Sequence, residues 1–346
     1  MARDATGRVG GARTASAMRE RTFTLGPLPW SEETIEHRYW ADFRGVWAAI
    51  REHPGFSPHR DILAVQQSLE ILSDSVDELA TRLQAFDTAA KTRAFWNRPA
   101  RAHFDGHVRS VRRAMFAAAT AAVAWRDLVR AVGTHCVDAG HPLSDWDVRW
   151  KAFTSLGEHQ FVVGLRNCIS HVGPVTPSWQ MRVGFADPPT EATRFLLNAE
   201  TLADCGELSV GARIYLQAVS GGVDLTVLFR AYMASIRSFH DSLLSSITQT
   251  FEPTLGEYRR YEAILARIRA RVSWRLLLSI ANPSNVDGFL AKELSPVELE
   301  EIKSFPAGSR VRADRIIEIL DEEGASTPAL RVLAYKALGA PDADAI

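Results

Sequence analysis

Residues 61–86, DILAVQQSLEILSDSVDELATRLQAF, set Ile62, Val65, Leu69, Leu72, Val76, Leu79, Leu83 and Phe86 on one stripe. Apolar side chains that recur every three or four residues share one face of an α-helix, because a turn takes about 3.6 residues. A stripe this long needs a partner surface, and the flanking sequence repeats the pattern. Upstream, Ser31 is a good N-cap with Glu32 and Glu33 in the first turn. Ile35, Tyr39, Phe43, Val46, Trp47 and Ile50 then hold one face until Pro54-Gly55. Downstream of Asn97-Arg98-Pro99 a helix is predicted from about Phe104 to Val132. Another is predicted from Ser144-Asp145 to Val172, stopped by Gly173-Pro174.

Residues 175–220 break this rhythm. Trp179, Met181, Val183 and Phe185 alternate with polar or small residues, and Phe195 and Leu197 lie beyond Asp187-Pro188-Pro189. The reading is a β-hairpin near 178–198 set into a helical scaffold. Helices are expected again at 207–219, 223–250 and 254–281. After Asn282-Pro283-Ser284-Asn285, residues 282–346 read as a small helical C-terminal appendage. Residues 1–25, rich in Gly, Ala, Arg, Ser and Thr, are expected to form a mobile tail. The fold class is therefore mainly α: a long-helix bundle over 26–281 with a short hairpin excursion and the appendage.

The net charge of −1 in 346 residues argues against nucleic-acid binding through bulk charge. Basic residues nevertheless cluster. Lys91, Arg93, Arg98, Arg101, Arg109, Arg112, Arg113, Arg126 and Arg130 face only Asp105 and Asp127 in their stretch. A second run, Arg259 to Arg275, opposes six arginines to Glu262. Each run reads either as a phosphate-binding groove or as a solvated helix face. Cys136, Cys168 and Cys205 are far apart and form no CxxC, which points to a reducing, cytoplasmic setting without a disulfide framework. The longest apolar run, Ala114 to Trp125, is too short to span a bilayer, so no membrane association is expected.

Most motifs that carry chemistry are missing: there is no GxGxxG, Walker loop, HExxH or GxSxG. His103 and His107 are one helical turn apart but lack an evident third ligand, so no metal site is expected. Glu301-Ile302-Lys303 has the E-x-K form of some nucleases but sits in helical pattern. What remains is Arg166-Asn167-Cys168-Ile169-Ser170-His171, at the end of an apolar helix. On an α-helix Asn167 and His171 share a face, so the amide can orient the imidazole, while Arg166 reaches the same edge. Arg98, Arg101 and Arg130 also precede a histidine at similar spacing. Pro99, Ala102 and Ala131 follow them, and only Arg166 has a polar neighbour. The structural alternative is a last-turn histidine favoured by the helix dipole, with Arg166 paired to a carboxylate.

This motif resembles the signature of the HEPN superfamily: an arginine, usually followed by a polar residue, then a histidine, late in a helical bundle. The resemblance covers about residues 144–174. It implies a metal- and cofactor-independent endoribonuclease in which Arg166, Asn167 and His171 are catalytic. It further implies a homodimer whose two motifs form one cleft, and a role as a toxin or in antiviral defence with an antitoxin or defence-system partner. Arg109, Arg112 and Arg113 are the candidate RNA-binding residues. Two other readings stand beside it: a non-catalytic dimerisation or RNA-binding module, and a relative modified near the motif by a partner protein.

Overall fold

The structure, a computed structural model, describes residues 25–85, 98–138, 140–141, 143–173, 175–184, 190–219, 221–280 and 285–341. The predicted tail up to residue 24, Phe86, the Asn97 break, Pro174, Phe185, Asp187-Pro188-Pro189 and the break at 282–284 lie outside these residues. The described chain is mainly helical, with one small antiparallel sheet. Its contacts divide into two units: residues 54–258, and a second formed by residues up to His53 with those from Arg259 onward.

In the 54–258 unit, helices α3 (Phe56–Gln84) and α4 (Arg101–Asp138) pack along each other. Ile62, Val65, Leu72, Val76, Leu79 and Leu83 of the opening stripe are buried there against Val111, Met115, Ala118, Ala122 and Trp125. Helix α5 (Trp146–Thr154) and helix α6 (Gly157–Asn167) follow. The single helix expected over this stretch is broken at Ser155-Leu156, where Leu156 takes an extended conformation. Strands β1 (Ser178–Gly184) and β2 (Thr190–Leu197) form the predicted hairpin, with Trp179 opposite Phe195. A two-residue strand β3 (Val223–Asp224), which the sequence read as helix, adds to β2 at Leu196 and Leu197. Between β2 and β3 lie helices α7 (Ala199–Ala203) and α8 (Val210–Ala218).

Helix α9 (Leu225–Ile280) runs through Pro253, where two helices had been predicted. Pro253 is exposed, while Ile247 and Leu255 on either side are buried, so the ring faces solvent and the apolar face carries on past it.

In the other unit, helix α1 (Glu32–Ala41) starts where Ser31 Oγ accepts from the Thr34 amide (3.1 Å). The helix predicted up to Pro54 is interrupted at Asp42, which caps a separate helix α2 (Phe43–Arg51) through the Gly45 amide. The Arg259–Arg275 run is largely spent on these two helices. Arg267 and Arg271 pair with Glu32 at 2.8 and 3.0 Å, and Arg271 also with Glu36 at 2.7 Å. Hydrogen bonding to Arg267 foremost holds the Glu32 carboxyl below its ordinary range. Arg269 lies over the Trp47 ring at 4.1 Å, and Arg260 donates to the Trp30 carbonyl. A second core includes Trp274, Leu290, Ile302, Ile316, Leu330 and Tyr335. It draws on α10 (Val286–Glu293), α11 (Pro296–Lys303), α12 (Arg310–Leu320) and α13 (Pro328–Ala337). The E-x-K stretch is structural: Ile302 is buried, Glu301 pairs with Arg315, and Lys303 pairs with Glu300. Among the described residues no helix is long and apolar enough to cross a membrane.

Candidate active site at the end of helix α6

Helix α6 is held by close approaches that its glycines permit. A Cβ on Gly164 would meet Leu208, and one on Gly157 would meet Tyr215, so α6 lies tight against α8 and the turn before it. Phe161, Val162 and Leu165 fill the core beneath. Arg166 and Asn167 emerge from its last turn, both half-buried. Arg166 donates from Nη1 to Asn167 Oδ1 (3.3 Å), while its buried Nε has no hydrogen-bond partner among the described residues.

The chain then changes winding. Cys168–Val172 form a π-helical turn closed by the Gly173 amide donating to the Cys168 carbonyl (3.1 Å). Gly173 adopts φ 149°, a left-handed value that glycine tolerates. A π turn is wider than an α turn and is often found at functional sites. It alters the geometry on which the shared face of Asn167 and His171 was predicted. His171 is exposed, and no hydrogen bond joins it to Asn167, whose oxygen is turned to Arg166 instead.

The turn is also covalently fixed. Cys168, inside the motif, is joined to Cys205 in a disulfide with Cα atoms 6.2 Å apart. This overturns the expectation of three unpaired thiols. Spacing alone does not reveal this pairing; the two residues meet because the end of α6 reaches the turn after α7. Cys136 alone is a free thiol, buried, and burial pushes it up to about 11.

Arg109, Arg112 and Arg113 lie on α4. Arg109 and Arg113 are exposed, but Arg112 donates to Thr176 Oγ1 (2.7 Å), tying α4 to the segment after the motif. His103 is exposed, whereas burial lowers His107, which lies near the Phe195 ring. Among the described residues no group of three or more histidine, cysteine or acidic side chains is placed to hold a metal. No protein-family model, curated protein or solved structure matches the chain.

Sequence reasoning missed what lies along the same helix. His159, Gln160, Val163, Gly164 and Asn167 line one side of a pocket of about 460 Å³. Arg126 and Arg130 of α4, Trp150 and Thr154 of α5, and Glu207 and Ser209 before α8 complete it. The signal was present: 159, 163 and 167, with 160 and 164, follow the three-and-four spacing of a helix face. That spacing alone does not separate a pocket lining from core packing. His159 is in fact buried, hydrogen-bonded through Nδ1 to the Tyr232 hydroxyl (3.0 Å), and lowered to about 4 by burial and then by the charge of Arg126. It is therefore neutral at physiological pH.

Proposed function

We propose that residues 54–258 form a metal-independent endoribonuclease centred on Arg166, Asn167 and His171. The observation that carries the reading is the placement of an exposed imidazole five residues beyond a half-buried guanidinium, at the end of a rigidly packed helix. In the proposed reaction the ribose 2′-oxygen attacks the adjacent phosphorus and the 5′-oxygen of the next nucleotide leaves. His171 transfers a proton in that exchange, acting as general base or acid. Arg166 would hold the scissile phosphate and offset the charge that develops on it. DNA, lacking the 2′-hydroxyl, would not react by this route.

The HEPN resemblance extends the proposal. Two copies would pair through their motif helices, so that both motifs line one cleft, with exposed Arg109 and Arg113 available to the RNA backbone. A toxin or antiviral role, with an antitoxin or defence-system partner, belongs to the same proposal. The intrachain geometry fits this arrangement, because no hydrogen bond or ion pair among the described residues holds the His171 ring. The same observation favours the second reading, a dimerisation or RNA-binding module that does not cleave. Cellular RNA incubated with the protein in EDTA separates them. Cleavage by wild type that Arg166→Ala and His171→Ala abolish, both remaining folded, supports the enzyme. Cleavage that both variants retain removes this site, and RNA binding without cleavage favours the module.

A further inference from the structure

The pocket along α6 shares Asn167 with the proposed catalytic motif but is lined by neither Arg166 nor His171, so ligand binding there can be measured without RNA cleavage. Its polar groups are unusually committed in direction. Arg126 spends Nε and Nη2 on Asp127 (2.9 and 2.6 Å), which leaves Nη1, and Arg130 has no ion pair among the described residues. Two arginines among the lining residues favour an anion, and arginine forks match phosphate oxygens. The two amides are equally fixed. Asn167 gives its oxygen to Arg166, and Gln160 gives its oxygen to Ser209 Oγ (3.0 Å). In each, the amide nitrogen remains a donor without a protein partner among the described residues.

The remaining lining narrows the ligand. Trp150 stacks on Trp146, ring centroids 5.4 Å apart and 18° from parallel, which holds its indole in place in the pocket lining. Val163 and Gly164 extend that apolar surface. His159, 3% exposed, lines the pocket while its Nδ1 is held by Tyr232, and its other ring nitrogen has no protein partner among the described residues. Glu207 adds one carboxylate, an acceptor amid donors. A ligand that answers all of this has an anionic group, a flat ring, acceptors for the amides and arginines, and donors for a carboxylate. Guanine presents acceptors at O6 and N7 and donors at N1 and N2, whereas adenine offers a carboxylate only its amino group. The volume lies in the range of small-molecule sites.

We propose that this pocket binds a guanosine phosphate, with the phosphate on Arg126 and Arg130 and the base against Trp150, Asn167 and Glu207. The ligand is either a free mononucleotide or one nucleotide of an RNA strand. Calorimetric titration of the full chain uses GMP, AMP, inorganic phosphate, a short oligouridylate carrying one guanosine, and its all-uridine counterpart. GMP is expected to bind saturably and more tightly than AMP or phosphate. Arg130→Ala, at an exposed position, should weaken GMP roughly tenfold, the loss of one charged hydrogen bond. Glu207→Gln should bring GMP and AMP together. If only the guanosine-bearing strand binds, and Arg130→Ala weakens it, the source is RNA. Phosphate binding as well as GMP would reduce the pocket to an anion site and overturn the proposal. So would equal GMP and AMP affinities in wild type, or no binding of any guanosine probe.

Discussion

His159 shows what a buried titratable group costs when it must stay neutral. Its ring sits beside Phe153, bonded to Tyr232, with the Arg126 charge nearby, and it takes up a proton only near pH 4. In the unfolded chain the same imidazole protonates around its ordinary value, near 6.5. The unfolded state therefore binds the extra proton first as pH falls. Above about pH 6.5 neither state is protonated and the group has no pH-dependent effect. Between about 6.5 and 4 stability is progressively lost, and below about 4 the loss levels off. The full loss is bounded at about 3 kcal/mol by the size of the shift. His159→Gln removes this titration, so the stability advantage of wild type over the variant should shrink as pH drops from 7.5 to 4.5. Urea unfolding of both proteins at several pH values measures it, and a pH-independent difference would mean that His159 titrates normally.

At the scale of elements, the disulfide joins the π turn of the motif to the end of α7 and closes a loop with a sequence separation of 37. Closing a loop of that length restricts the unfolded chain by about 3–4 kcal/mol in the chain-entropy account. The Cys168→Ala/Cys205→Ala variant should accordingly lose about that much in denaturant unfolding. Thiol titration of the denatured, unreduced wild type should find one free thiol, Cys136, and three would show that the bond does not form in the purified protein. Nothing in the local sequence announced this link. Helices α3 and α4 were legible because each buries one face, and one-sided burial leaves a three-and-four stripe. The π turn leaves no such period in Cys168-Ile169-Ser170-His171-Val172, so an α-helical continuation was the natural expectation. Pro253 misled in the opposite direction, since a proline on the solvent face interrupts a backbone bond without interrupting the buried face. The pocket was hidden by a related ambiguity: a helix face that lines a cavity has the same spacing as one that lines a core.

For the molecule as a whole, the open question is whether the motif works within one chain or between two. One chain leaves His171 exposed, with Asn167 turned to Arg166, so the parts proposed for catalysis are present but not locked together. A two-fold dimer brings the same patch of each copy to its own symmetry mate, so each motif would face the other across the axis. If Arg166 of one protomer holds the phosphate that His171 of its partner acts upon, the two defects belong to different halves of each site. Homodimers of Arg166→Ala lack both copies of the motif arginine, and homodimers of His171→Ala lack both copies of the motif histidine. A mixed dimer keeps one intact arginine and one intact histidine, on different chains, and these can complete one site. Unfolding the two variants together and refolding them should place about half of the dimers in the mixed class if pairing is random. RNA cleavage should then reappear in the mixture, although neither variant cuts alone. Sedimentation of the mixture checks that dimers have formed. Inactivity of mixed dimers confirmed in this way would mean that Arg166 and His171 must act from the same chain.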